Sequence, residues 1–233
     1  VRTTDILFMG LAFAALYFLL RSAGQTPDGL SYALAVHTGA DLYHPHHLLY
    51  GPVTRFLFLL TGGNDPLLAG VLHHLIWLVV LALGAWRLAG QMRWTHGAAL
   101  LAAAALLASR GVMFYATHVE AYLPALACLV MFVATWFKPL RSDLESLAWL
   151  ALAVLYHQTN VLLVIPLLVT SDRRRQDFLR VVLPAGLAVL GLYVAAWWLG
   201  GKNPGFLPWL FTYPGADVPA WGSIAHFSVS GVA

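Results

Sequence analysis

The stretch LAWLALAVLYHQTNVLLVIPLLV, residues 147–169, decides how this chain is arranged relative to a membrane. Its apolar halves, residues 147–156 and 161–169, are each shorter than the roughly 20 residues that a transmembrane helix needs. The stretch is therefore either one continuous helix with residues 156–160 at its middle or two short helices that turn there. The two interpretations place the basic residues that follow, Arg173, Arg174, Arg175 and Arg180, on opposite sides of the membrane.

The distribution of Lys and Arg favours the turn. With a hairpin at residues 156–160, nine basic residues lie on one side of the membrane and four on the other. The nine are Arg2, Arg87, Arg93, Lys138, Arg141, Arg173, Arg174, Arg175 and Arg180, and the four are Arg21, Arg55, Arg110 and Lys202. Because cytoplasmic loops carry the excess of basic residues, the sequence predicts an integral protein of a plasma membrane, such as the bacterial inner membrane, with a cytoplasmic N-terminus.

The composition places most of the chain in the membrane. The residues are 60% hydrophobic and only 10% charged, whereas soluble domains have about 25% charged residues. Apolar runs predict an all-α membrane protein with about seven transmembrane helices, several of them short, at residues 6–20, 66–89, 98–108, 118–137, 147–156, 161–169 and 181–199. They form one domain, residues 1–200, with interfacial helices in a first outer loop at 21–65. An aromatic and Pro-rich outer tail follows at 201–233.

The positions of the basic residues and the cysteine count exclude nucleic-acid binding and cysteine-based sites. The basic residues cluster at helix ends, which indicates membrane topology and not nucleic-acid binding. The chain has a single cysteine, Cys128, inside an apolar run. It therefore offers neither a disulfide framework nor a thiolate metal site.

The rare polar residues converge on one face. In the predicted topology the extracytoplasmic side receives Asp28, His37, Asp41, His44, His46, His47, Glu120 and His157. Ionisable groups near membrane depth are costly and usually face a cavity or a partner. The sequence therefore predicts a functional site on the extracytoplasmic face.

Each of these groups also has a structural interpretation. Asp28 is either a general base in low-dielectric surroundings or the cap of the following helix. Glu120 either functions in the site or forms a salt bridge with His118 or Arg110. His157 lies at the outer turn of the hairpin, where it could equally cap helix ends.

The histidine cluster and the outer cations leave similar alternatives open. His44, His46 and His47 could ligate a metal, contact substrate or phosphate, or lie in a hydrated interfacial loop. The three outer cations Arg55, Arg110 and Lys202 could hold a lipid phosphate or contact headgroups in general.

Taken together, these segments resemble the GT-C superfamily of membrane glycosyltransferases, in particular the branch related to protein O-mannosyltransferases. The resemblance lies in the acidic residue soon after the first span, in the His-Pro stretch from His44 to Tyr50, in Val-Glu-Ala-Tyr around Glu120, and in the stretch from His157 to Pro166. It covers most of residues 1–200.

The resemblance implies that a sugar moves from a polyprenyl-phosphate donor to an extracytoplasmic hydroxyl with inversion. Asp28 would be the general base, Glu120 and His44 would position the sugar or acceptor, and His157 would lie close to them. The residues that would contact substrate or donor phosphate are Arg55, Arg110, His46, His47, Tyr50 and Lys202. We expect no cofactor and no resident metal, although some members of the superfamily use a divalent cation.

Two departures from the family pattern stand out. Relatives generally have more spans and often a soluble domain after them, so the chain is expected to be a fragment or a shortened relative. Relatives also often carry a second acidic residue beside the base, where this chain has Gly29.

Two other functions compete with the glycosyltransferase. A non-catalytic GT-C-like subunit of a larger complex would bind a protein partner through the aromatic segment 206–221. A transporter or metal-handling protein would use the histidine cluster.

Overall fold

A computed structural model describes residues 3–22, 24–138, 142–201 and 205–211, and in these ranges the chain forms helices and no strands. The helices are α1 (Thr3–Leu19), α2 (Pro27–Thr38), α3 (Tyr50–Leu60), α4 (Pro66–Gln91), α5 (His96–Leu107), α6 (Arg110–Thr117), α7 (Tyr122–Trp136), α8 (Asp143–Tyr156), α9 (Val164–Thr170), α10 (Arg174–Asp177), α11 (Leu183–Leu199) and α12 (Phe206–Phe211). Short 3₁₀ segments lie at Pro45–His47 and Gln158–Leu163, and the π-helical segment Phe178–Val182 joins α10 to α11. The all-α expectation is thus confirmed for the described chain.

The expectation of seven transmembrane helices is not supported. Within the described residues, two helices are long and apolar enough to cross a membrane, Pro66–Gln91 and Arg174–Leu199, each of 26 residues. A third is reached if α5 and α6, which meet at an angle of 55°, count as one broken span. The other apolar helices are shorter than the roughly 20 residues of a span because turns interrupt the apolar runs.

Helix α4 is the centre of the first half of the chain. It packs against α1, α3, α5 and α7, and its residues Leu78, Leu81 and Ala82 are fully buried in the main hydrophobic cluster. Close packing against α7 requires a small residue at Gly84, where an added Cβ would lie 3.0 Å from Val130 Cγ1. Helix α4 therefore connects the N-terminal helices to the C-terminal half.

The second half contains the hairpin that the charge distribution favours. Helix α8 ends at Tyr156, His157 adopts an extended conformation, and Val164 and Leu167 of α9 belong to the same hydrophobic cluster as Leu150 and Val154 of α8. The first residue of α8, Asp143, and the last residue of α9, Thr170, line the same cavity. The chain therefore turns at His157 and returns to the level at which α8 begins.

This return gathers basic residues at one end of the molecule, which we call the basic end. Arg87 pairs with Glu145 at 2.8 Å, Lys138 with Glu145 at 3.7 Å and Arg180 with Asp143 at 3.8 Å. Arg2 and Arg141, which the sequence analysis assigned to the same side, lie outside the described residues. The opposite end, which contains His44, His47 and His157, is called the histidine end.

The predicted interfacial helices of the first loop correspond to α2 and α3. Thr26 is the N-cap of α2, and Gly39 ends it in the left-handed conformation with φ 78°. The guanidinium of Arg55 on α3 donates to the carbonyl oxygens of Val36 and His37 at 2.5 and 2.9 Å. A cation at a helix C-terminus is favourable, so Arg55 fixes α3 to the end of α2.

The loop that carries the histidines lies directly against α3. An added Cβ at Gly51 would be 2.2 Å from the carbonyl oxygen of Leu42. Neither atom belongs to a flexible side chain, so the contact cannot be relieved by a rotamer change. Gly51 therefore allows the approach that holds residues 42–49 in place.

We expect Gly51→Ala to destabilise the protein by roughly 1–3 kcal/mol, the usual cost of forcing an extra group into a packed site. Gly90→Ala is the matched control, because an added Cβ at Gly90 meets nothing within 4 Å and alanine favours a helix by up to about 1 kcal/mol. Thermal unfolding of both purified variants in the same detergent measures the difference. Equal stability of the two variants would contradict the packing at Gly51.

Candidate active site

The polar residues of the predicted site lie at the histidine end in two adjoining groups. One group is the carboxylate pair Asp28 and Glu120, and the other is the imidazole cluster, which consists of His44, His46, His47 and His157. Tyr122 joins them, because it follows Glu120 by two residues and its ring contacts those of His47 and His157. His37 lies apart, against Phe58, and Asp41 is exposed.

Two side chains before α2 bind the loop that carries Glu120. The Thr26 hydroxyl donates to the Glu120 carboxylate in a short hydrogen bond and accepts from the Gly29 N–H at 3.0 Å. The Gln25 side-chain oxygen accepts from the Val119 N–H at 2.8 Å. Because Thr26 caps α2, Asp28 is not the cap residue, and its carboxylate in the first turn is left for another role.

The carboxylate of Glu120 is in an environment that disfavours its charge. Glu120 is only 5% exposed to solvent. Burial raises the pKa of Glu120, the hydrogen bond from Thr26 lowers it, and the nearby charge of Asp28 raises it. Two neighbouring carboxylates with unequal surroundings are typical of sites that divide acid and base roles.

The structure leaves no room for a side chain at position 29, next to Asp28. An added Cβ at Gly29 would lie 2.7 Å from the carbonyl oxygen of Val119 and 3.1 Å from the Thr26 hydroxyl. No side chain fits there without moving the backbone. The close approach that excludes a side chain at position 29 also brings Asp28 near Glu120.

The four imidazoles of the second group are packed ring against ring. His47 lies at its centre, with ring centroids 4.8 Å from His157, 5.6 Å from His44 and 6.4 Å from His46. The hydroxyl of Tyr193 donates to the Pro45 carbonyl at 2.7 Å, which fixes the segment to α11. His47 is buried, with 7% of its surface exposed.

Hydrogen bonds determine which nitrogen carries the proton in three of the rings. Nδ1 of His47 donates to the Tyr156 carbonyl at 3.1 Å, since a carbonyl can only accept. Nδ1 of His44 instead accepts from the His46 backbone N–H at 3.2 Å, and Nδ1 of His46 accepts from the Gln158 amide. In the neutral rings the lone pair is therefore on Nε2 in His47 and on Nδ1 in His44 and His46.

The cluster is neutral near pH 7. Burial, followed by the charge of His46, lowers the pKa of His44 to about 4. Burial likewise lowers the pKa of His47 to about 3, against the hydrogen bond to Tyr156, which raises it. Burial also lowers the pKa values of His46 and His157. Neutral rings bind an anion less well than imidazolium would, which weighs against the predicted phosphate role of His46 and His47.

The tautomers also bear on metal binding. In His44 and His46 the lone pair of the neutral ring already accepts a hydrogen bond, whereas a metal ligand must donate that lone pair to the ion. Among the described residues, no group of three or more His, Cys, Asp or Glu side chains has the geometry to hold a metal ion. The metal-handling alternative therefore has no support in the described part of the chain.

A buried polar network below the cluster was missed by the sequence analysis. The Thr54 hydroxyl donates to the Tyr50 carbonyl and accepts from Nδ1 of His73, whose Nε2 accepts from the Tyr156 hydroxyl at 3.1 Å. The hydroxyl of Tyr50 and Nε2 of His74 form a further hydrogen bond of 2.9 Å. Two histidines within an apolar span were the signal for this network.

Tyr50 belongs to this network and lies inside the protein. It is fully buried, and its ring stacks on that of His73. The predicted contact of Tyr50 with substrate therefore has no support in the geometry. Its side chain instead links α3 to α4.

Two of the three predicted phosphate-binding cations, Arg55 and Arg110, lie within the described residues. Arg55 binds the end of α2, as described above. Arg110 is exposed at the start of α6, and Lys202 lies outside the described residues. The described geometry therefore gives Arg55 a structural role.

An apolar groove leads away from the imidazole cluster along α8 and α11. Its volume is about 300 Å³, and it is lined by residues such as Val154, Val164, Val182 and Val189, with Leu210 and Phe211 of α12 at one edge. Two polar residues, Gln158 and Tyr193, line it as well. Gln158 is the residue that donates to His46, so one end of the groove meets the cluster.

Helix α12 covers part of this region instead of projecting from the protein. Phe206, Trp209 and Leu210 pack against Leu48, Leu155 and Tyr193, whereas Phe211 is exposed. Residues 212–221, the rest of the segment predicted to bind a protein partner, lie outside the described residues. Within 206–211, the aromatic side chain of Trp209 is thus used in internal packing.

Comparisons with known proteins do not add to this picture, since no protein family, curated protein or solved structure matches the chain. The likeness to GT-C enzymes remains an expectation from the sequence motifs. The roles of individual residues are therefore argued from the geometry of the histidine end.

We expect Thr26→Val to raise the pKa of Glu120 further, because the hydrogen bond that stabilises its ionised form is removed. The same change removes the cap of α2 and costs about 1 kcal/mol of stability. Infrared difference spectra recorded across a pH titration report the protonated carboxyl, and Glu120→Gln identifies its band.

Thr26→Ser is the control, since serine keeps both hydrogen bonds. A Glu120 pKa that is unchanged or lowered in Thr26→Val would show that the hydroxyl does not act on this carboxylate.

Proposed function

We propose that the protein is a membrane glycosyltransferase that moves a sugar from a polyprenyl-phosphate donor to an acceptor hydroxyl at the histidine end. This end would face the extracytoplasmic side, since the positive-inside rule puts the basic end in the cytoplasm. The active site would be formed by the carboxylate pair and the imidazole cluster. Fold class by itself does not establish such an activity, so the proposal rests on the site.

The observation that carries the proposal is the junction of the apolar groove with the polar site. The groove runs from Val182, the last residue of the π-helical segment, along α11 to Tyr193, which is about 16 Å of helix at 1.5 Å per residue. A single hydrocarbon chain suits a groove of this shape, since its walls are almost entirely aliphatic. The polar end of such a lipid would then lie beside Gln158 and the imidazole cluster.

The carboxylate pair suits the chemistry of the transfer. Asp28 would take the proton from the acceptor hydroxyl while the hydroxyl oxygen bonds to the anomeric carbon. The bond from that carbon to the phosphate oxygen breaks, and the phosphate leaves with the electron pair. Attack from the face opposite the leaving group inverts the anomeric configuration.

The other residues of the site would act on position and charge. Glu120, held by Thr26, would orient the sugar or the acceptor together with His44. Negative charge develops on the departing phosphate, and cations or N–H donors aimed at it lower the barrier. Arg110 and Lys202 are the proposed cations for this role, whereas Arg55 serves the fold. No residue of the proposed mechanism requires a resident metal.

We expect Asp28→Asn to lower transfer from a polyprenyl-phosphate sugar by about 10²–10⁴-fold, the usual contribution of a general base. The measurement is transfer by purified, reconstituted protein, tested with a panel of lipid-linked sugars and hydroxyl acceptors. Asp41→Asn is the matched control, because Asp41 is exposed and its positive φ of 53° is a conformation that asparagine tolerates. Activity retained in Asp28→Asn would show that the base is another residue.

The groove makes a separate prediction about lipid binding. We expect Gly186→Leu to weaken binding of a polyprenyl phosphate by at least about tenfold. The groove volume of about 300 Å³ is at the lower limit for ligand pockets, so a leucine side chain that enters it leaves too little room for the lipid. An added Cβ at Gly186 meets nothing within 4 Å, and neither does one at Gly191. Gly191 does not line the groove, so Gly191→Leu is the control. Equal affinities would remove the groove from the lipid site.

A further inference from the structure

A second cavity, which we call the basic-end cavity, lies apart from the candidate active site. It forms where the end of α7, the start of α8, the end of α9 and helix α10 meet, and its volume is about 550 Å³. Ligand pockets usually have volumes of about 300–1,000 Å³. The cavity is therefore large enough for a small ligand, and neither the carboxylate pair nor the imidazole cluster contributes to its walls.

Charged side chains of both signs line the basic-end cavity. Among the described residues of its walls, the cations are Lys138, Arg173 and Arg180, and the carboxylates are Asp143, Asp172 and Asp177. Arg180 lies 3.8 Å from Asp143, and Lys138 lies 3.7 Å from Glu145. The Asp177 carboxylate is buried and accepts a hydrogen bond from the Ser171 hydroxyl. Four of the six charges thus have partners within the protein.

The other two charges are neighbours in sequence and opposite in sign. In the described chain, neither the Arg173 guanidinium nor the Asp172 carboxylate takes part in an ion pair, and both residues are exposed. A ligand with one negative and one positive group would meet an opposite charge at each of them. The cavity therefore favours a zwitterion over a simple anion or cation.

Hydrogen bonds fix the turn that carries this pair of charges. The Ser171 hydroxyl accepts from the Arg173 backbone N–H at 3.0 Å while it donates to Asp177. The Ser171 carbonyl accepts from Nε of Arg174 at 3.2 Å. Because the backbone of the turn is ordered in advance, less conformational freedom is lost when a ligand binds.

One edge of the basic-end cavity is apolar and exposed. Phe137 lines the cavity and is 55% exposed. Phe178 and Leu179, which lie between the lining residues Asp177 and Arg180 in sequence, are also exposed. They belong to the π-helical segment, and π-helical turns are frequent at functional sites. Exposed apolar side chains beside a charged cavity indicate a ligand with a hydrocarbon part, such as a lipid.

The chemistry of the two charges identifies the polar group of this lipid. The Arg173 guanidinium can bind two oxygens of a phosphate at once. The Asp172 carboxylate accepts hydrogen bonds, which a primary ammonium donates and a quaternary ammonium cannot. We propose that the basic-end cavity binds the phosphoethanolamine headgroup of a phospholipid, with Arg173 on the phosphate and Asp172 on the ammonium. This lipid site is independent of the proposed transferase function.

The test is native mass spectrometry of the purified full chain in detergent, which gives the dissociation constant of the first bound lipid. The probes are dioleoyl phosphatidylethanolamine, phosphatidylglycerol and phosphatidylcholine, with O-phosphoethanolamine as the soluble competitor. The variants are Arg173→Gln and Asp172→Asn. Arg175→Gln is the matched control for Arg173→Gln, because it removes the same charge from an exposed residue that does not line the cavity.

We expect phosphatidylethanolamine to bind at least about tenfold more tightly than the other two lipids, the effect of one hydrogen bond between charged groups. Arg173→Gln should weaken its binding at least about tenfold for the same reason, and Arg175→Gln should leave it unchanged. Asp172→Asn should remove the preference over phosphatidylglycerol, because the carboxylate that binds the ammonium and repels an anion is lost. O-phosphoethanolamine at the concentration of the lipid should not displace it.

Several results would overturn the proposal. Equal affinities for the three lipids, or tighter binding of phosphatidylglycerol or phosphatidylcholine, would reject the headgroup. An equal loss in Arg173→Gln and Arg175→Gln would show attraction to the general charge of the basic end. Asp172→Asn that weakens all three lipids equally would give Asp172 a structural role. Displacement by O-phosphoethanolamine would assign the cavity to a soluble zwitterion in place of a lipid.

Discussion

The candidate site depends on the close approach of α2 to residues 118–121. This approach is possible because Gly29 has no side chain, and it is fixed by the hydrogen bonds of Thr26 to Glu120 and of Gln25 to Val119. A larger residue at position 29 would push the two loops apart. The carboxylate pair then exists only because two segments that are about 90 residues apart in sequence meet at one point.

The two ends of the molecule use polar residues in different ways. At the basic end, cations and carboxylates form partly exposed ion pairs such as Arg87 with Glu145, and such pairs contribute little to stability. At the histidine end, the imidazoles are packed together around the buried His47 and are uncharged, and their hydrogen-bond partners include backbone groups and the Gln158 side chain. The charged residues of the basic end are those that the positive-inside rule assigns to the cytoplasmic side. The uncharged imidazoles of the histidine end are instead suited to binding a polar, uncharged ligand.

Several features could be predicted from the sequence because they follow from charge and hydropathy. The hairpin at His157 and the convergence of Asp28, Glu120 and the histidines are examples. The number of spans could not be predicted, since hydropathy does not reveal where a turn shortens a helix. The structural role of Arg55 and the burial of Tyr50 could not be predicted either, because both depend on which helix packs against α3.

The proposed function requires a lipid chain in the groove that brings its polar end to the imidazole cluster. Photo-crosslinking with a polyprenyl phosphate that carries a diazirine on the chain, followed by peptide mapping, tests it directly. We expect labels on groove residues of α8 and α11, such as Val154 and Val189, that unlabelled polyprenyl phosphate competes away. Competed labels confined to α1 and α5, on the other side of the molecule, would contradict it.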